Sequence, residues 1–179
     1  MVEGLFRHED DIGGPPGPLP AGSVQRMTLG RGAWHSEQNA SPDQPMRFIQ
    51  MWILPSEADL EPSVEQRVWD VADRTNRLLE VFNPEGSDGA VKVHGDARVF
   101  VSRLEEGHRV EHRFEPGRSG YLYVIRGAVR ADGQTLDEGD AAEIHDHGPL
   151  QLEASETSEL ILVDVPPVYQ PVGVWRRVS

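Results

Sequence analysis

The sequence contains no cysteine among its 179 residues. Disulfide bonds, thiolate metal ligands and cysteine nucleophiles are therefore all excluded. It also lacks any apolar run close to the roughly 20 residues that a membrane-spanning helix requires. The N-terminal residues MVEGLFRHEDD do not show the basic-then-apolar pattern of a signal peptide. We therefore expect a cytoplasmic protein with no membrane partner.

Basic residues are scarce relative to acidic ones. Lys and Arg total 17, whereas Asp and Glu total 30, which gives a formal net charge of −13. This balance argues against DNA, RNA or an anionic membrane as the main partner. Hydrophobic residues make up 37% and charged residues 26% of the chain, as in an ordinary soluble globular protein.

Turn-forming residues, by contrast, are abundant: 18 glycines and 14 prolines are scattered along the chain. They separate short runs of β-branched and aromatic residues, a pattern that indicates an all-β sandwich or barrel. In MRFIQMWIL the apolar residues occupy both faces, so this run is expected to be a strand buried on both sides. The runs are SVQRMTL, MRFIQMWIL, LLEVF, ARVFVSRL, YLYVIRGAVRA, LQLEA and ELILVDV.

Two further local patterns concern turns and helices. Asp132-Gly133 between two such runs predicts a tight β-hairpin, because primed turns need positive φ angles. No segment shows a convincing amphipathic helix. The segment from residue 65 to residue 82 is open to two interpretations: strand, loop and strand, or one short helix within it.

Irregular segments divide the chain. Residues 8–22 are so rich in Gly and Pro that we expect a long surface loop joining two strands. A second break near residues 54–63 separates a short N-terminal piece from a longer piece about the size of one small barrel. We therefore expect an N-terminal domain over residues 1–54 and a C-terminal domain over residues 55–179.

The segment GRGAWHSEQN carries His35 and Glu37 two positions apart. On a β-strand, residues two apart project from the same face. A neutral imidazole beside a carboxylate suits Fe, Ni, Mn or Zn. The alternative interpretation is a polar turn that binds no metal.

Other histidines are weaker candidates for metal binding. His8 is expected to lie at the far end of the first strand, away from His35. His145 and His147 form an H-x-H pair, but the following Gly148-Pro149 suggests an exposed turn. His108 and His112 are four apart, which does not bring them together on a strand, so we expect both at the surface.

Three tryptophans, Trp34, Trp52 and Trp69, are expected to be packing residues. Trp34 can also line a cavity next to His35.

The order of these motifs resembles the pirin family, whose members are bicupins with two β-barrels in tandem. The specific parts are the HSEQN segment, the Q-x-W-I-x-P motif of residues 50–55 and the E-P-S-x-E-Q motif of residues 61–66. The resemblance implies an all-β bicupin in which residues 1–54 form an incomplete first jelly-roll barrel. Residues 55–179 would form a complete second barrel followed by a C-terminal tail.

The resemblance also implies a metal site in the first barrel. Pirins bind one iron, or another divalent metal, through three histidines and one glutamate. His35 and Glu37 match the later pair of ligands, whereas the earlier H-x-H pair would fall before Met1. We therefore expect a late-assigned start or a shortened N-terminus, and little activity from this chain alone.

For function, the resemblance implies a metal-dependent dioxygenase acting on a flavonoid-like substrate such as quercetin. Glu37 would serve both as a metal ligand and as the catalytic acceptor of the substrate hydroxyl proton. The alternative is a non-catalytic regulatory protein that contacts transcription factors or metabolic enzymes and keeps a vestigial metal site. A third possibility is a homodimer formed through exposed strand edges.

Overall fold

A computed structural model describes residues 1–145, 148–173 and 176. Within these residues the chain forms fifteen β-strands and one short 3₁₀ helix, Val71–Arg74. No helix of the described part is long and apolar enough to cross a bilayer. The strands are β1 Leu5–Asp10, β2 Leu19–Pro20, β3 Ser23–Thr28, β4 His35–Asn39, β5 Ser63–Val68, β6 Leu79–Asn83, β7 Val91–Lys92, β8 Arg98–Leu104, β9 Arg109–Arg113, β10 Ser119–Arg126, β11 Val129–Ala131, β12 Gln134–Leu136, β13 Ala141–Ile144, β14 Pro149–Ala154 and β15 Ser158–Val165.

The chain divides into two compact units. The first unit comprises Met1–Asp70, Glu85–Gly95 and Gln170–Ser179, and the second comprises Val71–Pro84 and Asp96–Tyr169. Each unit is built from short antiparallel strands joined by Gly-containing turns, as the scattered glycines and prolines predict.

The first unit contains a three-stranded sheet in the order β2-β1-β4 and an antiparallel pair formed by β3 and β5. The turn that leads into β4 depends on glycine. Gly30 has a φ of 52°, and a Cβ atom there would collide with the main-chain carbonyl of Leu60. Only glycine meets both requirements, so this turn fixes where β4 begins.

The second unit contains two sheets. Five of its strands are ordered β13-β10-β15-β8-β6, and four are ordered β12-β11-β14-β9. Alternate residues of these strands point inward, and they form one apolar core. The buried core residues are Leu104, Leu122, Val124, Val129, Ile144, Leu150, Leu152, Ala154, Leu160 and Leu162.

The Asp132-Gly133 hairpin is confirmed. It joins β11 to β12, with φ angles of 46° at Asp132 and 88° at Gly133. Both central residues of the turn therefore have the positive φ angles that a primed hairpin turn requires.

The expected strand at MRFIQMWIL is wrong. Residues 46–54 form no strand, and Arg47 makes only an isolated bridge to Glu3. A strand needs a neighbouring strand that takes up its main-chain hydrogen bonds, and apolar composition alone does not reveal whether such a neighbour exists. Between β5 and β6 the chain forms the single 3₁₀ turn, so the short-helix interpretation of that segment is the correct one.

Candidate functional site

His35 and Glu37 both lie on β4, and their side chains leave the same face of the strand. The His35 Nε2 atom is 4.0 Å from the Glu37 Oε1 atom, and the two side chains are 32% and 29% exposed. Two ligands at about 2.1 Å from one ion are at most about 4.2 Å apart. The observed distance is therefore compatible with both atoms binding the same ion.

β1 brings two more polar side chains to this face. In the antiparallel pairing of β1 with β4, His8 lies opposite Glu37, and Asp10 lies opposite His35. Directly opposed residues share a face of the sheet. The rings of His8 and His35 are stacked with centroids 5.5 Å apart. His8 lies on the first strand as expected, but the expectation that it lies away from His35 is wrong, because the register of β1 against β4 brings it opposite Glu37. Residues 8–10 also belong to β1 rather than to the loop expected over residues 8–22.

His8 is buried, with a side chain only 2% exposed. Its Nε2 atom lies 3.2 Å from the Asp10 Oδ2 atom, within ion-pair distance. The geometry is not that of a hydrogen bond, and within the described residues neither ring nitrogen has a hydrogen-bond partner. Buried polar atoms without a partner are rare, and they commonly mark the place of an ordered water or ion.

Asp10 is held by the loop that follows β1. Its Oδ1 atom accepts hydrogen bonds from the main-chain N–H groups of Ile12 and Gly14, each at 2.9 Å. The Gly14 hydrogen bond is the largest of the effects that lower the pKa of Asp10 below its usual value. Asp10 therefore organises the loop as an ionised carboxylate, and its Oδ1 atom is already occupied.

The fit of this site to a metal is partial. His35 and Glu37 are suited to bind one ion together. Across residues 1–145, 148–173 and 176, however, no three His, Asp or Glu side chains are arranged to hold a metal. The described part of the chain thus presents a pair of ligands rather than a complete set.

Two of the three tryptophans that were expected to pack are instead exposed. Trp34, next to His35, is 84% exposed, and Trp52 is 78% exposed. The packing expectation is therefore wrong for both of them. Trp69 is partly buried, and the Arg67 guanidinium carbon lies 5.5 Å from the centroid of its ring.

A second cluster of polar side chains lies inside the second unit. Along the inward face of β8 and β15, the opposed pairs are Ser102 with Leu160, Phe100 with Leu162, and Arg98 with Asp164. The interior is therefore apolar at one end and charged at the other. A cavity of about 350 Å³ lies at the charged end, lined by Glu80, Arg98, Phe100, His112, Arg113, Glu115, Arg118 and Asp164.

His112, on β9, projects into this interior and is only 9% exposed, so its expected surface position is wrong. His108 is at the surface, as expected. The His112 Nε2 atom lies 2.8 Å from the Asp164 Oδ2 atom. The imidazole ring is flanked by Phe100, with centroids 4.8 Å apart, and by Phe114, with centroids 4.6 Å apart.

Asp164 is the centre of this polar cluster and is 3% exposed. Its Oδ1 atom accepts a hydrogen bond from Arg118 Nε, and its main-chain oxygen accepts a second one from Arg118 Nη2 at 3.0 Å. Burial by itself would raise the pKa of Asp164. The hydrogen bonds from His112 and Arg118 outweigh burial and leave that pKa below its usual value. Arg118 also pairs with Asp96 at 2.7 Å.

The motifs of the sequence do not predict this cluster, although one strand carries a signal for it. In ELILVDV, Asp164 follows Leu160 and Leu162 at alternate positions, which places a carboxylate on the buried face of the strand. The structure describes only one member of the other histidine pair. His145 lies 3.2 Å from the Ser119 hydroxyl, and His147 falls outside the described residues.

Two family models match the chain. Residues 1–53 match the model described as Pirin, and residues 81–165 match the model described as the quercetinase C-terminal cupin domain. These ranges contain the His35–Glu37 pair and most of the second unit, respectively.

Known proteins similar to this chain include bacterial ones. A protein of Escherichia coli strain K12 named quercetin 2,3-dioxygenase is 32% identical over 168 residues, which is 94% of this chain and 71% of that protein. A protein of Caulobacter vibrioides named pirin-like protein is 32% identical over 163 residues, which is 90% of this chain and 69% of that protein.

Solved structures agree with these matches. The crystal structure of YhhW from Escherichia coli superposes with a TM-score of 0.86 at 31% identity, covering 94% of this chain and 70% of that one. The complex of the same bacterial pirin with nickel(II) gives a TM-score of 0.85 at 31% identity, covering 93% and 70%. The resemblance inferred from the motifs is confirmed, and the chain belongs to the pirin family of bicupin proteins.

Proposed function

We propose that this protein is a metal-dependent dioxygenase of the flavonol type, with His35 and Glu37 as ligands of a divalent metal. One observation carries the proposal. The two side chains stand on one face of β4 with their Nε2 and Oε1 atoms 4.0 Å apart, in a chain 32% identical to a quercetin 2,3-dioxygenase. The nickel(II) complex of the Escherichia coli pirin supports a divalent ion, and iron, manganese and zinc suit the same donor types.

The chain's own residues contribute binding and proton transfer. A bound divalent metal would act as a Lewis acid on the oxygen atoms of the substrate. His35 and Glu37 would hold that metal, and the buried His8 ring is stacked against the His35 ring with centroids 5.5 Å apart. Glu37, with a side chain 29% exposed, can accept the hydroxyl proton of a flavonol.

The test is an aerobic assay of quercetin loss with the full chain dialysed against Ni²⁺, Fe²⁺ or Mn²⁺, with bound metal measured in parallel. His35→Gln and Glu37→Gln should each reduce bound metal and turnover at least tenfold, because each removes one of the two proposed ligands. His108→Gln, an exposed substitution in the second unit, is the matched control. Turnover that both site variants leave unchanged would refute the assignment.

The second candidate is a non-catalytic binding protein, and the exposed tryptophans favour it. Trp34 and Trp52, 84% and 78% exposed, both belong to the first unit. Large exposed aromatic residues are typical anchors of protein interfaces. Under this alternative the chain holds no metal and turns over no quercetin. It would instead form a defined complex with a protein partner, or a homodimer, that Trp34→Ala or Trp52→Ala weakens in analytical ultracentrifugation.

A further inference from the structure

We propose that the second unit contains a separate binding site for a small phenolic compound, whose hydroxyl group donates a hydrogen bond to His112 Nδ1. The site is the cavity at the charged end of the second unit. It shares no residue with the His35–Glu37 pair, so the proposal stands whether or not the first unit binds metal.

The hydrogen bonds around His112 determine which of its two ring nitrogens carries the proton. Asp164 Oδ2 lies 2.8 Å from His112 Nε2, and Asp164 Oδ1 is bound by Arg118. An ionised carboxylate can only accept hydrogen bonds. Nε2 therefore carries the proton, and in the neutral ring Nδ1 presents its lone pair as an acceptor. This is how a buried carboxylate fixes the tautomer of a histidine.

The position of His112 in the cavity wall determines whether a ligand can reach its Nδ1 atom. His112 lines the cavity, and its side chain is 10% exposed. No described residue hydrogen-bonds to Nδ1. This atom is nevertheless absent from the set of fully buried polar atoms without a partner, so it is not completely buried. We infer that Nδ1 belongs to the accessible part of this ring and is free to accept a hydrogen bond from a ligand in the cavity.

Two phenylalanine rings pack around the imidazole of His112. Phe100 lines the cavity, and its ring centroid lies 4.8 Å from that of His112, so it offers an aromatic surface next to the imidazole. Phe114 holds the imidazole from another side. It can do so because Gly120 has no side chain: a Cβ atom there would overlap the Phe114 ring. The ring is therefore held in position by packing as well as by Asp164.

The charged side chains that line the cavity indicate the charge of the ligand that it can hold. The lining contains three guanidinium groups, Arg98, Arg113 and Arg118, and three carboxylates, Glu80, Glu115 and Asp164. These charges balance, so a strongly anionic ligand gains little. A neutral aromatic ring with a weakly acidic hydroxyl suits an acceptor nitrogen beside an aromatic wall. A volume of about 350 Å³ is at the lower end of ligand pockets, which favours a single-ring phenol.

The experiment uses catechol as the probe and the full chain kept metal-free with EDTA. Catechol is titrated while the imidazole signals of His112 and His35 are followed by NMR. We expect saturable shifts at His112 in the millimolar range, as befits a ligand with so few heavy atoms. No shift should occur at His35. A shift confined to His35, or no shift at His112 at tens of millimolar catechol, would overturn the proposal.

Three variants sharpen this test. His112→Gln keeps a donor towards Asp164 but replaces the fixed Nδ1 acceptor by an amide oxygen on a flexible side chain, and should weaken catechol binding at least tenfold. Phe100→Leu should weaken it severalfold through loss of the aromatic wall, and His108→Gln should leave it unchanged. A folded His112→Gln variant that binds catechol as the wild type does would contradict the proposal.

Asp164 is a positioning residue in this scheme, and its role has its own readout. Asp164→Asn offers an amide donor to Nε2, which shifts the proton of the neutral ring to Nδ1. The ¹⁵N chemical shifts of His112 should then report the other tautomer, and catechol binding should fall at least tenfold. A variant with the wild-type tautomer and weakened binding would show that Asp164 acts only through packing.

Discussion

The Asp164→Asn substitution also provides the sharpest test of how the second unit is stabilised. Asp164 is 3% exposed and receives two charge-assisted hydrogen bonds, from His112 Nε2 at 2.8 Å and from Arg118 Nε. Hydrogen bonds to charged groups contribute about 1.5–3 kcal/mol each. The isosteric amide keeps one neutral acceptor, and Arg118 keeps its pairing with Asp96. The expected loss in the free energy of unfolding is therefore about 2–4 kcal/mol.

The intrinsic fluorophores allow this loss to be assigned to one unit. All four tryptophans, including Trp34, Trp52 and Trp69, belong to the first unit, whereas the three tyrosines, Tyr121, Tyr123 and Tyr169, belong to the second. Thermal unfolding followed by the near-UV circular dichroism of tyrosine should shift downwards by about 5–15 °C. Asp96→Asn, at a carboxylate that is 60% exposed, is the matched control and should cost at most about 1 kcal/mol.

The loss of stability caused by Asp164→Asn is expected to depend on pH in a definite direction. The pKa of Asp164 is lower in the folded chain than its ordinary value of 3.8. Its contribution to stability is thus fully present above the unfolded-state pKa and is lost as the pH falls through the folded-state pKa. The difference between wild type and Asp164→Asn should accordingly shrink below about pH 4. A difference that stays constant between pH 7 and pH 3 would show that shape rather than charge is responsible, and would refute this reasoning.

Three other substitutions test separate parts of the structure. Leu160→Ala removes a fully buried side chain of the second unit and should cost about 2–5 kcal/mol in tyrosine-detected denaturation; a loss below 1 kcal/mol would contradict the core assignment. Gly133→Val forces a β-branched residue to a φ of 88°, so a loss of at least about 1 kcal/mol is expected, with Gln134→Val on the adjoining strand β12 as the control. Asp10→Ala removes the acceptor for two main-chain N–H groups and should cost about 1–2 kcal/mol at pH 7 by tryptophan fluorescence. Because the folded-state pKa of Asp10 is lowered, that cost should diminish as the pH falls through the folded-state pKa.

The sequence predicted the fold well where strand periodicity and turn chemistry act locally. The runs that became β3, β6, β8, β10, β14 and β15 were correctly identified, as was the hairpin at Asp132-Gly133. The strand predicted at residues 46–54 does not form, and the reason is not local. Apolar composition reports burial, but strand formation also needs a paired neighbour, and that neighbour is set by tertiary structure.

The candidate site was predictable only in part for a similar reason. His35 and Glu37 are two apart on one strand, so their shared face follows from local geometry. The approach of His8 depends on the register of β1 against β4, which opposes residue 8 to residue 37 across 29 positions of sequence. The cluster of His112, Arg118 and Asp164 likewise joins three separate parts of the second unit. The metal-ligand role of the first pair and the 1–54 and 55–179 domain division stay predictions.

The buried histidines of the two units differ in their hydrogen bonding, and this difference affects what each unit can bind. In the second unit His112 is bound by an ionised Asp164, which has Arg118 as a second donor, so the imidazole is fixed before any ligand arrives. In the first unit His8 has no hydrogen-bond partner for either nitrogen among the described residues, although it is stacked on His35. An unsatisfied buried polar group costs about 1–3 kcal/mol, so the first unit gains most from an ion or water that satisfies its face. In the second unit, the cavity lining has equal numbers of guanidinium and carboxylate groups, so this cavity gains most from a neutral ligand that uses the His112 Nδ1 acceptor. Metal binding in the first unit and phenol binding in the second are therefore expected to respond to different substitutions, and a His35→Gln variant should lose the former while keeping the latter.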